Sequence, residues 1–241
     1  PPSSLVFLHG FGDTGRGWEE LARVLWNRPR GRVVVPTAPL RPISWLHGDR
    51  VRSWFEPRGV GRQWAEESTA ERWTCSGADE SFQLVEGLVR EEEEEGVPRD
   101  RIFLCGFSQG GALALLAGLE MSHDAPLGGI VMLSGYLPRV SMHSRHSSKR
   151  GGDVGTPVLL MHGLDDPITP PDWAREAHTD LTNSGVRAEL HLFEGLRHEV
   201  SDQGPQVLRE WVDRSSHAPG ATGESEQVVS HPFPHNRIVS Q

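Results

Sequence analysis

The sequence predicts an α/β protein with a mostly parallel central sheet flanked by helices on both faces. Two observations predict it. Short apolar runs bounded by glycine, proline or charge recur along the chain, as strands buried on both faces require. Stretches with apolar residues at helical spacing alternate with them. In this class, sites form beyond the carboxyl ends of the strands, so chemistry is sought at each strand-to-helix turn.

The elements follow in order. Leu5-Val6-Phe7-Leu8 is the first strand, and Trp18, Leu21, Ala22 and Leu25 mark the first helix. Val33-Val34-Val35 is the second strand. Residues 39–78 break the rhythm with Trp45, Trp54, Trp64 and Trp73, and read as a structured excursion over one end of the sheet, a candidate substrate-covering wall. Phe82, Val85, Leu88 and Val89 mark the next helix, and the acidic run 91–95 behind it reads as a solvated face. Ile102-Phe103-Leu104-Cys105 is a strand and Ala112, Leu115, Leu116 and Leu119 a helix; Ile130-Val131-Met132-Leu133 and Val158-Leu159-Leu160-Met161 are further strands. Leu190-His191-Leu192-Phe193 is a less pronounced sixth, followed by a helix through Val207, Leu208, Trp211 and Val212. Residues 143–155 read as an exposed loop, and 215–241, rich in Ser, Gly, Pro and His, as a disordered polar tail behind a domain of residues 1–214.

A chain of 241 residues with 36% hydrophobic and 24% charged residues is long enough for one large core and short for two enzyme-sized domains. A net charge of -9 leaves no overall basic footprint, which argues against nucleic acid as a partner and leaves at most peripheral membrane contact. No apolar stretch approaches the roughly 20 residues of a spanning helix. Two cysteines, Cys75 and Cys105, make neither a disulfide framework nor a cysteine-rich zinc site; their scarcity fits a reducing, cytoplasmic compartment. The chain begins at Pro1 rather than a methionine, so any targeting segment ahead of it is not legible.

Gly106-Phe107-Ser108-Gln109-Gly110 is a G-x-S-x-G motif lying after a strand and before a helix. A nucleophilic serine must project from a sharp turn there, and a Cβ at the flanking positions would collide with neighbouring backbone. The helix N-terminus also favours developing negative charge. A serine hydroxyl needs a base, and the base a carboxylate, here in the chain order Ser, Asp, His. Two carboxylates, Asp165 and Asp166, follow the strand at 158–161. Asp166 is preferred because the residue before Pro167 is held extended, while Asp165 is free to cap or solvate the turn. Among 12 histidines, His198 stands out because it follows the last core strand and precedes the last helix. Backbone N–H groups for an oxyanion are expected from the residue after the nucleophile, Gln109, and from the loop after the first strand, at Phe11.

The decoys are weaker. Gly10-Phe11-Gly12-Asp13-Thr14-Gly15 matches a dinucleotide fingerprint, but the second strand runs into Pro36-Thr37-Ala38 with no carboxylate for a ribose. His143 and His146 have metal-pair spacing without an evident third ligand, so no metal or organic cofactor is expected. Cys105 reads as a small core residue.

Taken together, Phe7-Leu8-His9-Gly10-Phe11-Gly12-Asp13-Thr14-Gly15, Pro36-Thr37-Ala38-Pro39, Ser53-Trp54-Phe55, Gly106 through Leu113, His162-Gly163 with Asp165-Asp166-Pro167, and Glu194-Gly195 with His198 resemble the acyl-protein thioesterase family. This is the phospholipase/carboxylesterase branch of the α/β-hydrolases. The likeness spans most of residues 5–213. It implies an α/β-hydrolase fold with little or no lid, a Ser108-Asp166-His198 triad, and an oxyanion hole from the Phe11 and Gln109 backbone. It also implies an acyl site lined by Trp54 and Phe55, and acylated proteins or lipid-like esters as substrates, with S-palmitoyl-cysteine hydrolysis foremost. Segments 59–75 and 143–155 and the tail depart from the family's usual pattern, which bears on substrate rather than chemistry. Two rival readings stand beside it: a carboxylesterase or lysophospholipase acting on small or lipid esters, and a non-catalytic receptor that retains the pocket.

Overall fold

Side chains along each central strand alternate between two cores, and this alternation builds the three layers. In the computed structural model, which describes residues 1–57, 77–137 and 155–215 together with the backbone of Ser225–Val229, seven strands pair in the order β2-β1-β5-β6-β7-β8-β9. They are β1 (Ser3–Leu8), β2 (Gly31–Val34), β5 (Ile102–Phe107), β6 (Gly129–Leu133), β7 (Val158–Gly163), β8 (Ala188–Phe193) and β9 (Ser225–Val229), and every pairing is parallel. The central four strands are buried along their whole length, which explains their unbroken apolar runs.

Among the described residues, five helices cover the sheet: α1 (Gly15–Leu25), α2 (Ala78–Glu94), α3 (Gln109–Met121), α4 (Pro171–Asn183) and α5 (Gly204–Ser215). Leu5, Phe7, Phe103, Cys105, Val131 and Leu159 face one side, against Trp18, Ala22 and Leu25 of α1 and Leu208, Trp211 and Val212 of α5. Val6, Leu8, Ile102 and Leu104 face the other, against Val85 and Val89 of α2 and Leu113 and Ala117 of α3. Ile130, Met132, Leu160 and Leu190 extend that face under Ala174 and Leu181 of α4. Each fully buried aliphatic side chain contributes about 1.5–3 kcal/mol, so these two cores dominate the folding free energy. No helix among the described residues is long and apolar enough to cross a membrane.

Helix α4 is absent from the sequence reading. Its signal is narrow: Pro171 at the first helical turn and a four-residue stripe of Trp173, Ala174, Ala177 and Leu181 on an otherwise polar segment. The acidic run is also more than a solvated face. Glu92 is buried and takes two hydrogen bonds from Arg32, at 2.8 and 3.1 Å, while Glu93 pairs with Arg99 and Glu95 with Arg32. The excursion after β2 contains a small antiparallel ribbon, β3 (Leu40–Pro42) with β4 (Arg50–Arg52), joined through a single 3-10 turn at Ser44–Leu46.

The polar tail requires a correction at Ser225–Val229. These residues run parallel to β8 from Glu189 to Phe193 and form the sheet edge. The open N–H and C=O groups of β8 offer a template that a short extended segment can satisfy whatever its polarity. Trp64, Trp73, Cys75, His143 and His146, and segments 59–75 and 143–154, lie outside the described residues.

Candidate active site

Ser108 stands between β5 and α3 with φ 54° and ψ -118°, a left-handed backbone for a residue with a side chain. Such a conformation is costly and persists only where the surroundings impose it. They do so through Ser108 N–H, which donates to Leu133 O at 2.8 Å, and Ser108 O, which accepts from Ala112 N at 3.0 Å. The flanking glycines are demanded by space. A Cβ on Gly106 would lie 2.2 Å from the Gly110 backbone, and one on Gly110 would lie 2.1 Å from Leu8 O. The turn is therefore wedged between α3 and the end of β1.

Asp166 lies in the loop after β7 and is 5% exposed, whereas Asp165 points to solvent. Asp166 Oδ1 accepts from Ile168 N at 2.8 Å and Thr169 N at 2.9 Å. Its Oδ2 accepts from His198 Nδ1 at 2.7 Å, and Thr169 Oγ1 lies 2.8 Å away. Burial pushes this carboxyl upward, but the bonds from His198 and the two backbone amides outweigh it and hold its pKa below the usual value. His198 comes from the loop between β8 and α5. Because Nδ1 donates to Asp166, Nε2 is the acceptor nitrogen. The His198 ring packs against Phe107, the residue preceding Ser108, with centroids 4.8 Å apart. Phe107 stacks in turn on Trp18, which stacks on Phe7. Trp18 Nε1 donates to Asp13 in the loop after β1.

That loop carries Phe11, whose ring meets Trp45 at 5.9 Å. A Cβ on Gly10 would lie 3.7 Å from the Ser108 Cβ, so the loop passes directly beside the Ser108 turn. Gly12 N donates to Arg52 O, tying the loop to the β3–β4 ribbon. His9 anchors its base: Nδ1 donates to Gly10 O at 2.7 Å, and Nε2 accepts from Ala38 N at 3.0 Å. His9 is wholly buried, and burial lowers its pKa, keeping the ring neutral with one donor and one acceptor. Gln109 opens α3, where a backbone N–H has no partner within the helix.

The structure amends one expectation. Trp54 and Phe55, read as acyl-site lining, are 0% and 1% exposed and belong to the core beneath the site. Trp54 packs tilted against His9, with centroids 5.0 Å apart, and its Nε1 donates to His9 O at 2.8 Å. Their large apolar area is satisfied by packing against β1 and α3. Sequence reading also missed three supports: the Gln109 side chain, which bonds the Ser53–Phe55 segment; His162, buried with Nε2 donating to Thr169 O at 2.8 Å; and Thr169. His162 stands in the sequence reading only as part of the His162-Gly163 motif, four residues before Asp166; its bond to Thr169 O comes from the structure. Burial lowers its pKa as well.

A hydroxyl on a forced turn, a buried aspartate bonded to an imidazole and a parallel sheet beneath them define a hydrolase of the α/β-hydrolase class. The chain belongs to the phospholipase/carboxylesterase family, whose profile matches residues 2–216. It is 29% identical over 216 residues to acyl-protein thioesterase 1 homolog 1 of Dictyostelium discoideum, covering 88% of this chain and 90% of that protein. Among solved structures, Arabidopsis thaliana SOBER1 superposes with a TM-score of 0.76 at 27% identity, covering 90% of this chain and all of that one. Zea mays acyl-protein thioesterase 2 gives 0.71 at 25% identity, covering 89% and 94%.

Proposed function

We propose that the protein hydrolyses acyl thioesters and esters through an acyl-enzyme on Ser108, with S-acylated protein as the principal substrate class. The observation that carries this reading is the 2.7 Å bond from His198 Nδ1 to the buried Asp166, with the imidazole packed against the residue next to Ser108. His198 Nε2 takes the Ser108 proton as Oγ attacks the acyl carbonyl. Asp166 holds the ring in its tautomer and stabilises the imidazolium without itself taking the proton. Phe11 and Gln109 N–H groups bind the oxyanion, each worth roughly 3–4 kcal/mol in the transition state. The tetrahedral intermediate collapses, His198 returns its proton to the leaving thiolate or alkoxide, and the thiol or alcohol departs. Water then attacks the acyl-serine with His198 again as base, releasing the carboxylic acid and restoring Ser108. The thioester preference is supported by the names of relatives in the slime mould and in maize. The carboxylesterase alternative is supported by the family's description.

The test is a burst-phase assay of intact protein and Ser108→Ala, using a chromogenic short-chain ester and a long-chain acyl thioester. A burst lost in the variant, with efficient turnover of the thioester, is expected. A flat preference for the short ester would move the assignment to carboxylesterase. Stable binding of either substrate without turnover would favour the receptor reading.

A further inference from the structure

Thr169 occupies the centre of the acidic end of the site, and its single hydroxyl proton has few places to go. Within 3.5 Å of Oγ1 lie Asp166 Oδ2 at 2.8 Å, Ser134 O at 2.9 Å, His198 Nδ1 at 3.3 Å and His162 Nε2 at 3.4 Å. Both ring nitrogens already carry protons, since His198 Nδ1 donates to Asp166 and His162 Nε2 donates to Thr169 O. The hydroxyl can therefore donate only to the carboxylate or the carbonyl, and the charged acceptor binds it more strongly. Asp166 Oδ2 thus receives two donors, the imidazole and the hydroxyl, while Oδ1 receives two backbone amides.

We propose that Thr169 is a positioning residue of the hydrolytic site, whose hydroxyl shares Asp166 Oδ2 with His198 and so sets how strongly the carboxylate holds the protonated imidazole. This rests on the triad reading given above. Sharing has two effects. It restrains rotation of the carboxylate about its Cβ–Cγ bond, because two of the four donors are backbone amides and a third is the buried Thr169 hydroxyl. It also disperses charge on Asp166 Oδ2 that would otherwise act on the imidazolium alone. The titratable or charged groups around the pair come from several elements. They are His162 on β7, whose Nε2 lies 3.5 Å from Asp166 Oδ2, and Arg175 on α4, which acts on His162; Arg197 and Glu199 flank His198 in the chain. His162 stays neutral because it is buried, so it does not mimic the effect of the hydroxyl.

The experiment measures kcat/KM against pH with p-nitrophenyl butyrate for the intact protein, Thr169→Val and Thr169→Ser, with Ser108→Ala as control. Thr169→Val keeps the shape and loses the hydroxyl. Its acid limb is expected to move up by about half to one pH unit, with kcat falling more than KM changes, and Thr169→Ser is expected to restore the original limb. Thr169→Ala replaces Thr169→Val if the latter is not recovered folded. An unmoved acid limb in a folded hydroxyl-free variant, with Ser108→Ala inactive, would overturn this inference alone. Retained turnover by Ser108→Ala would overturn the triad reading and this inference with it.

Discussion

The side chain of Gln109 reaches back from the first turn of α3 to clasp the Ser53–Phe55 segment: its Oε1 accepts from Trp54 N at 3.0 Å. Its Nε2 donates to Phe55 O at 2.8 Å and to Ser53 Oγ at 3.0 Å. Gln109, the residue proposed to offer a backbone N–H to the oxyanion, is thereby locked by its own side chain, and the excursion after β2 is pinned to the Ser108 turn. Gln109→Ala would leave Trp54 N–H buried without its partner, at a cost of about 1–3 kcal/mol, while Phe55 C=O keeps the bond from Ser53 Oγ. A loss of about 1–3 kcal/mol in urea-induced unfolding is expected, with a fall in kcat from a loosened α3 N-terminus. Unchanged unfolding would mean that water replaces these bonds.

Of the two adjacent carboxylates, Asp166 alone reaches His198; Asp165 is exposed and contributes its N–H to Leu196 O. Asp166→Asn is expected to lower kcat by about 10⁴, because an amide stabilises the wrong imidazole tautomer. Asp165→Asn is expected to leave turnover within about twofold, since exposed surface substitutions rarely perturb a site. Steady-state kinetics on an activated ester distinguishes them.

Two buried histidines, His9 and His162, have pKa values lowered chiefly by desolvation. In the unfolded chain each takes up a proton near pH 6.5, while the folded form refuses it until lower pH. The unfolded state thus binds more protons below that point, so stability is present above about pH 6.5 and is lost as pH falls toward the folded values. Each imidazole contributes a slope of up to about 1.4 kcal/mol per pH unit in that window. Asp166, with its lowered value, adds a further loss only below the ordinary carboxylate range. Thermal melting between pH 7.5 and 5 is expected to show a falling Tm, and His162→Gln a shallower fall. Parallel curves would remove His162 from this account.

Arg32 and Glu92 test stability away from the site. Glu92 is buried in α2, and the Arg32 guanidinium, whose own pKa the pairing raises, meets it with two bonds. Arg32→Ala strands a buried carboxylate and is expected to cost about 1–3 kcal/mol of unfolding free energy while leaving kcat unchanged. Glu92→Gln together with Arg32→Ala should recover part of that loss, as a double-mutant cycle would show.

The order of strands and helices was legible in the sequence because parallel strands buried on both faces must be apolar throughout, and their covering helices must carry apolar stripes. The turn at Ser108 was legible for a similar reason: its glycines leave no room for any other residue, so the backbone geometry writes itself into the motif. Helix α4 and strand β9 were not, since one is held by a narrow stripe and the other by backbone pairing with β8. Nor does chain order reveal that Trp54 and Phe55 turn inward, that Gln109 clasps them, or that Thr169 and His198 meet on one oxygen of Asp166. A local pattern records what a residue needs from its chain neighbours. Which distant donors converge on a buried carboxylate is decided only when packing brings the loops behind β7 and β8 together, where the oxygens of Asp166 find their partners.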